Sequence, residues 1–322
     1  MRQRRLDAGA VCLLGVPSIG VGLELFVSHS LGAYVVHGVQ ICTSLLVITA
    51  VFGSLEHFFA LKRARFFYPG WTTNLGWYFI NAFTPLLILA PIAAALAALI
   101  HALLPSAWTS AAASLPIGWR LILAMIVGEL GFYWGHRWSH EWPWLWRFHA
   151  VHHSAEHVQF LVSSRAHPID MVFTRLCGLV LLYATGLASP LGDNPALVPL
   201  IVVFVGAQWS YLIHANVRFR LGPFEEVISS PAFHHWHHTR EDHKNRNYAS
   251  MLPIFDRLFG TFYLPREWPK AYGTDTHVPE GIVAQFLSPF TPRSGLPSSA
   301  VGLTKPAKDE KMNLPDQVAR ID

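Results

Sequence analysis

The chain has 322 residues, 52% of them hydrophobic and only 14% charged, with a formal net charge of +4 and a mean hydropathy of +0.32. Charged residues make up about a quarter of ordinary soluble domains, so this shortfall excludes a typical water-exposed globule and points to a surface that largely faces lipid. The basic residues flank apolar segments and form no stripe or recognition helix, which argues against nucleic acid as a partner.

A membrane-crossing helix needs roughly 20 mostly apolar residues. Such segments fall at 9–27, 35–55, 76–103, 117–135, 171–190 and 196–213. The first follows Arg2, Arg4 and Arg5 and so has the basic start of a signal peptide. Asp7 and Glu24 fit that reading poorly, and Ser28-x-Ser30 is a weak cleavage signal. The third contains Pro85 and Pro91 and is expected to kink or fold as a tight hairpin, with neighbouring helices satisfying the freed backbone groups. The three cysteines, Cys12, Cys42 and Cys177, lie far apart in apolar stretches and read as buried thiols rather than a disulfide framework.

Basic residues cluster in alternate connections. Lys62, Arg63 and Arg65 follow the second segment, Arg137, Arg147, Arg165 and Arg175 surround the connection after the fourth, and Arg218 and Arg220 follow the last. The intervening loops 28–32, 105–116 and 188–197 hold no Lys or Arg, and Arg120 is the one exception at an outer edge. The positive-inside rule then predicts six spans, a multi-pass protein with both termini cytoplasmic. Trp134, Trp138, Trp142, Trp144 and Trp146 suit an interfacial belt. The expected organisation is N-terminal transmembrane segments over 1–117, a motif-bearing catalytic domain over 118–283, and a Pro/Ser-rich, then charged, disordered tail over 284–322.

Thirteen of the eighteen histidines lie between 136 and 243. His136 and His140 are spaced i, i+4. His149, His152 and His153 are spaced i, i+3, i+4, and His234, His237 and His238 repeat that spacing. On a helix each set shares a face. All three sets fall on the side expected to be cytoplasmic, and Pro143 allows the second to turn back toward the first. His214 ends the last apolar segment on the same side and makes a ninth ligand.

A single HxxxH is common by chance, but three ordered sets are not. Neutral imidazole suits Zn, Fe, Cu and Ni. Eight or more ligands exceed one tetrahedral zinc site, so two metals sharing the cluster is the economical reading. Two irons activating dioxygen is the favoured chemistry, although ligand type alone does not choose iron over zinc. A transporter would carry such groups near the midplane of several spans, and a structural zinc site needs only four.

His167 stands between motifs as an outer-layer residue or weak ligand. His157, His235 and His243 read as solvated or hydrogen-bonded, and His29, His37, His57, His101 and His277 have no partner at ligand spacing. Glu129 falls inside a predicted span seven residues before His136. A carboxylate there is costly unless paired, so it is either functional or satisfied by another helix. Glu141, Glu156, Asp170, Asp242 and Asp256 are possible histidine partners that read equally well as solvated.

These motifs resemble the fatty acid hydroxylase / sterol desaturase superfamily of membrane di-iron oxygenases. The resemblance runs from about 118 to 265 and rests on HRWSH (136–140), FHAVHH (148–153), RAHP (165–168), HAN (214–216), SPAFHHWHH (230–238) and NRNYASMLPIFDRLFGTF (245–262). It implies an all-α, polytopic helical membrane protein with a cytosol-facing, histidine-rich dimetal domain. The implied ligands are His136, His140, His149, His152, His153, His214, His234, His237 and His238.

Arg218 stands where some members have a second histidine, Ala249 where glycine is usual, and Asn245 where an acidic residue is frequent. The implied activity is O2-dependent hydroxylation of a lipid C–H bond at two non-haem iron ions, with desaturation as the close rival. No flavin, haem or iron–sulfur motif is present, so an external electron donor such as a reductase, ferredoxin or cytochrome is expected.

Overall fold

The computed structural model describes residues 31–63, 67–188, 197–241, 243, 245–292 and 295–297. The expected first span, Cys12, Asp242 and most of the tail lie outside them. The described residues are helical and form no strand, only three isolated β-bridges.

Helix α1 (Leu31–Ile48) runs through a π-helical turn, Thr49–Gly53, into α2 (Ser54–Phe59). Helix α3 (Trp71–Thr84) passes through a second π-helical turn, Pro85–Leu89, into α4 (Ala90–Leu103). The expected interruption at Pro85 is therefore absorbed within one continuous run of 33 residues, Trp71–Leu103. A π-turn accommodates the missing N–H without ending the helix. The short α5 (Ser106–Ala113) leads to α6 (Ile117–Glu141), then α7 (Pro143–His153), α8 (Pro168–Ala184) and α9 (Leu197–His214). Short helices α10 (Pro231–His237), α11 (Ile254–Leu258) and α12 (Ile282–Leu287) follow.

Among the described residues four helical runs are long and apolar enough to cross a membrane: Val35–Phe59, Trp71–Leu103, Ile117–Glu141 and Leu197–His214. The expected span at 171–190 is not among them. Helix α8 has 17 residues and carries Asp170 and Arg175 in its first half. The surface of the four runs is apolar where it is exposed, as at Val35, Leu46, Leu99 and Ile122. That is the surface a lipid environment requires. Cys42 is exposed on this face, so the expectation of buried thiols fails there.

Helices α6 and α8 pack at glycine contact. A Cβ on Gly131 would collide with the carbonyl oxygen of Cys177, one on Gly178 would lie 2.9 Å from the carbonyl oxygen of Gly128, and one on Gly135 would lie 3.2 Å from Cα of Thr174. Small residues of this kind let backbones approach closely where lipid supplies no hydrophobic driving force. The two helices run in opposite directions, so the start of α8 sits beside the end of α6. At the far end the buried Arg120 donates its Nε to Leu187 O at 2.7 Å, which satisfies the one cation that broke the charge pattern.

The expected disorder from residue 284 fails over its first part. Gln285 is buried and accepts the Trp77 Nε1 hydrogen at 2.9 Å, and Phe290 packs on Phe148 and His167. Buried polar and aromatic partners hold this segment although its Pro/Ser content reads as a linker.

Candidate metal centre

Proline sets the start of three helices that carry or support the site. Pro143, Pro168 and Pro231 each stand in the first turn of α7, α8 and α10. That position needs no N–H and has the φ that proline imposes. Ser230 caps α10 by accepting from Phe233 N at 3.2 Å. At α8 the cap is His167, whose Nδ1 accepts from Ile169 N at 3.2 Å while Nε2 faces Phe286 O at 3.2 Å. Both nitrogens of His167 are therefore committed away from the other histidines.

The eight histidines singled out by spacing converge with His214, each 8% exposed or less. They form two groups. His136, His140, His149, His153 and His237 make a nest of five, and His152, His214, His234 and His238 a nest of four; within each, the candidate ligand atoms lie within 4.8 Å of one another. The nests touch, with the His153 and His238 rings 4.5 Å apart between centroids. The i, i+4 members of each triplet stay together, whereas the i+3 members, His152 and His237, cross into the opposite nest.

The other ring nitrogens fix the tautomers. Nδ1 of His136 donates to Tyr248 O at 2.7 Å, His152 to Arg165 O at 3.0 Å, His214 to Ser210 O at 2.7 Å and His237 to Arg246 O at 2.8 Å. His149 Nδ1 donates to Asp170 Oδ2 at 2.9 Å. A carbonyl oxygen only accepts, so each of these rings carries its proton on Nδ1 and a bare lone pair on Nε2. Yet Nε2 of His136 and His149 stand 3.2 Å apart, as do those of His152 and His214. No hydrogen is left to join them.

Lone pairs facing one another at this distance repel unless a cation lies between them. Metal–nitrogen bonds of about 2.0–2.1 Å place neighbouring ligand nitrogens roughly 3.0–3.4 Å apart. The remaining Nε2 contacts, from 3.0 Å for His214–His234 to 3.3 Å for His140–His237, lie in the same range. The donor set therefore fits two metal ions. Burial, and then the neighbouring rings, hold His152, His153, His234, His237 and His238 well below the ordinary imidazole value of 6.5, so these rings are neutral and free to ligate.

Of the carboxylates that read equally well as histidine partners or as solvated, Asp170 and Asp256 are buried. Asp170 takes the Ser139 hydroxyl at 2.9 Å on one oxygen and His149 on the other. Burial pushes its carboxyl up, but His149 and Ser139 outweigh that and hold it below the ordinary value. Asp256 accepts Tyr248 N at 2.7 Å, Thr261 Oγ1 at 2.7 Å and Ala249 N at 2.8 Å. Burial raises it to about 6 against those bonds. It thus holds the strand-like segment whose Tyr248 carbonyl orients His136.

Asn247, with φ of 59°, braces the same segment. Its Nδ2 donates to Phe233 O and Tyr263 O and its Oδ1 accepts from Tyr263 N. Glu129 accepts Met251 N at 2.6 Å and Leu252 N at 3.2 Å, so a loop rather than another helix satisfies it. His235, buried, meets the Tyr272 hydroxyl and Ala215 O.

Sequence reasoning did not single out Glu56, which is half-buried at the metal-side end of the first run and accepts Phe160 N and Asn216 N, both at 2.8 Å. Its signal was a carboxylate closing an apolar run. Arg165 is buried and donates to Val151 O, Asn74 Oδ1 and Ser154 Oγ. It ties α3 to the helix that bears three of the histidines.

Beneath the nests lies a cavity of about 230 Å³ between α1, α3, α6, α8 and α9. Phe132, in its wall, packs on His136 with centroids 5.4 Å apart, and Ser210, also in the wall, accepts from His214. From there it extends to Gly128, Leu182 and Val202. Eight residues of α6 separate Gly128 from His136, about 12 Å at 1.5 Å per residue.

An all-α protein with membrane-length helices and two buried histidine nests over an apolar chamber is the class defined so far. Residues 121–261 match the fatty acid hydroxylase family model, a segment that encloses all nine histidines. The ornithine lipid hydroxylase OlsE of Rhizobium tropici is 35% identical over 184 residues, 55% of this chain and 52% of that one. Alkylglycerol monooxygenase of Danio rerio is 35% identical over 149 residues, 45% and 30% of the two chains. Methylsterol monooxygenase 2-2 of Arabidopsis thaliana is 28% identical over 193 residues, 59% and 67% of the two. The match thus spans about half the length of the first relative and less than a third of the second. No solved structure matches.

Proposed function

We propose that this protein is a membrane-embedded, non-haem di-iron oxygenase that hydroxylates a lipid. The carrying observation is the pair of nests whose ring nitrogens converge next to a cavity between the membrane-length helices. His136, His140, His149, His153 and His237 would hold one iron and His152, His214, His234 and His238 the other. Two irons supply the activation of O2 that an inert C–H bond requires. In balance, R–H, O2, two electrons and two protons give R–OH and water. The two electrons come from an external protein donor.

The chain's own residues do the rest. Backbone carbonyls and Asp170 hold the rings in one tautomer and orientation. Apolar side chains of α8 and α9, among them Leu179, Leu182 and Val202, would hold the lipid chain in the part of the cavity away from the nests. The names of the relatives, two monooxygenases and a hydroxylase acting on lipids, support hydroxylation over desaturation. The basic residues Lys62, Arg63, Arg137, Arg147 and Arg218 near the nests, against Arg120 at the other end, support a cytoplasmic metal side.

The test is comparative mass spectrometry of total lipids from aerated cells making either the intact chain or the His238→Ala variant. A lipid gaining one oxygen atom only with the intact chain is expected. Loss of two hydrogens instead would make the protein a desaturase, and identical lipid profiles with no iron in the purified protein would overturn the oxygenase reading.

A further inference from the structure

The cavity contains a charge that the metal centre does not use. Arg175 lines it from α8 and makes no hydrogen bond or ion pair among the described residues; the only ionisable group acting on it is the Tyr211 phenol. Other cations near the site have partners. Arg165 donates to three acceptors and Arg137 bonds Glu141 at 2.8 Å. Glu129, the one carboxylate in the cavity wall, is committed to the amides of Met251 and Leu252. An arginine among apolar helices is costly and is normally paired or functional.

Its level in the fold is fixed by the α6–α8 crossing. Thr174 lies against Gly135, the residue before His136. Tyr211, its neighbour, precedes His214 by three residues and shares a hydrogen bond of 3.2 Å with Ser164. Helical side chains lean toward the N-terminus, which for α8 is the metal side. Arg175 therefore sits at the metal end of the cavity, whereas the opposite end, at Leu179, Leu182 and Val202, is apolar. A bare hydrocarbon chain leaves this guanidinium unpaired.

We propose that Arg175 binds an anionic group, a carboxylate or phosphate, on the lipid substrate. The lipid then enters with its charged end toward the metal centre and its chain toward Leu182, and the oxidised carbon lies near the head group rather than far along the tail. This rests on the oxygenase reading for its chemistry but not for its binding.

Binding is tested on the purified, iron-loaded, detergent-solubilised protein with radiolabelled palmitate and hexadecanol, which share a chain and differ in charge. The intact protein is expected to bind palmitate at least about tenfold more tightly, the scale of a charge-assisted hydrogen bond. Arg175→Gln should abolish that preference while keeping hexadecanol binding and iron content, and Arg175→Lys should retain part of it. Equal binding of both probes by the intact protein, or an unchanged preference in Arg175→Gln, overturns the proposal. Displacement of palmitate by millimolar acetate or inorganic phosphate would make this a small-anion site and overturn it too. Fragmentation of the oxygenated lipid supplies the second arm. Oxygen in the head group or adjoining carbons supports the orientation, and oxygen at the distal chain refutes it. If binding holds but no lipid is oxygenated, the oxygenase reading fails and the anion site stands.

Discussion

The two nests use the same ligand atom but are held differently. In the nest of five, Asp170 bonds His149, while Tyr248 O and Arg246 O fix His136 and His237. In the nest of four, support comes from two backbone carbonyls, Arg165 O and Ser210 O. Nδ1 of His234 and His238, like that of His140 in the nest of five, has no hydrogen bond among the described residues. A ring fixed by a carboxylate is a better-oriented and more basic ligand than one free to turn. With one ligand more and a buried anion beside it, the five-histidine site should bind metal more tightly. The pair is thus unequal in ligand number and in the carboxylate behind one ring.

That inequality can be broken most severely at adjacent residues. His237→Ala and His238→Ala remove one ligand from each nest in turn. Each should abolish lipid oxygenation, by more than the roughly 10–100-fold typical of losing an outer partner. Metal analysis should find that His238→Ala, which leaves three ligands, loses the more weakly held ion, whereas His237→Ala, which leaves four, keeps two ions with the stronger site loosened. If both variants kept identical, tightly held iron, the two-nest division would be wrong.

Asp170→Asn should lower metal affinity about 10–100-fold. Competition titration should confine that loss to one of the two ions. A chelator series on the intact protein should then remove iron in two steps, the four-histidine site first. A single step with both ions leaving together would show that the nests act as one. The smallest effect is expected from Gly131→Ala. The added methyl meets the Cys177 carbonyl and pushes α8 away, costing about 1–3 kcal/mol of stability. Because α8 carries Asp170, the stronger site should weaken toward its neighbour, as a titration of the folded variant would reveal. Gly118→Ala, where a Cβ meets nothing within 4 Å, is the control.

Periodicity made much of this legible. The i, i+3, i+4 spacings marked eight of the nine histidines, the end of the last apolar run marked His214, and charge-poor apolar runs marked the long helices. The division into five and four was not legible. On one helix the i+4 residue lies about 40° from i and the i+3 residue about 60° the other way, so which neighbour meets which depends on the facing helix. Helix α8 read as a span because its later residues are apolar, yet its first half serves the metal layer. Asp170 and Asp256 carried no periodic signal, since their partners are a ring on the preceding helix and the amides of a loop. Backbone carbonyls such as Arg246 O belong to no side-chain pattern at all. Arg175 was read for its charge in the topology argument, and its place in the cavity emerged only from packing.

The crossing of His152 and His237 has a further consequence. Among the described residues both nests are made of histidines only. Two ions held there would have their spacing constrained by covalent chain: His152 and His153, like His237 and His238, are consecutive residues serving opposite sides, and consecutive Cα atoms are about 3.8 Å apart. Two short helices would act as rulers clamped across the gap from different directions, so the separation of the two ions would be set largely by the fold.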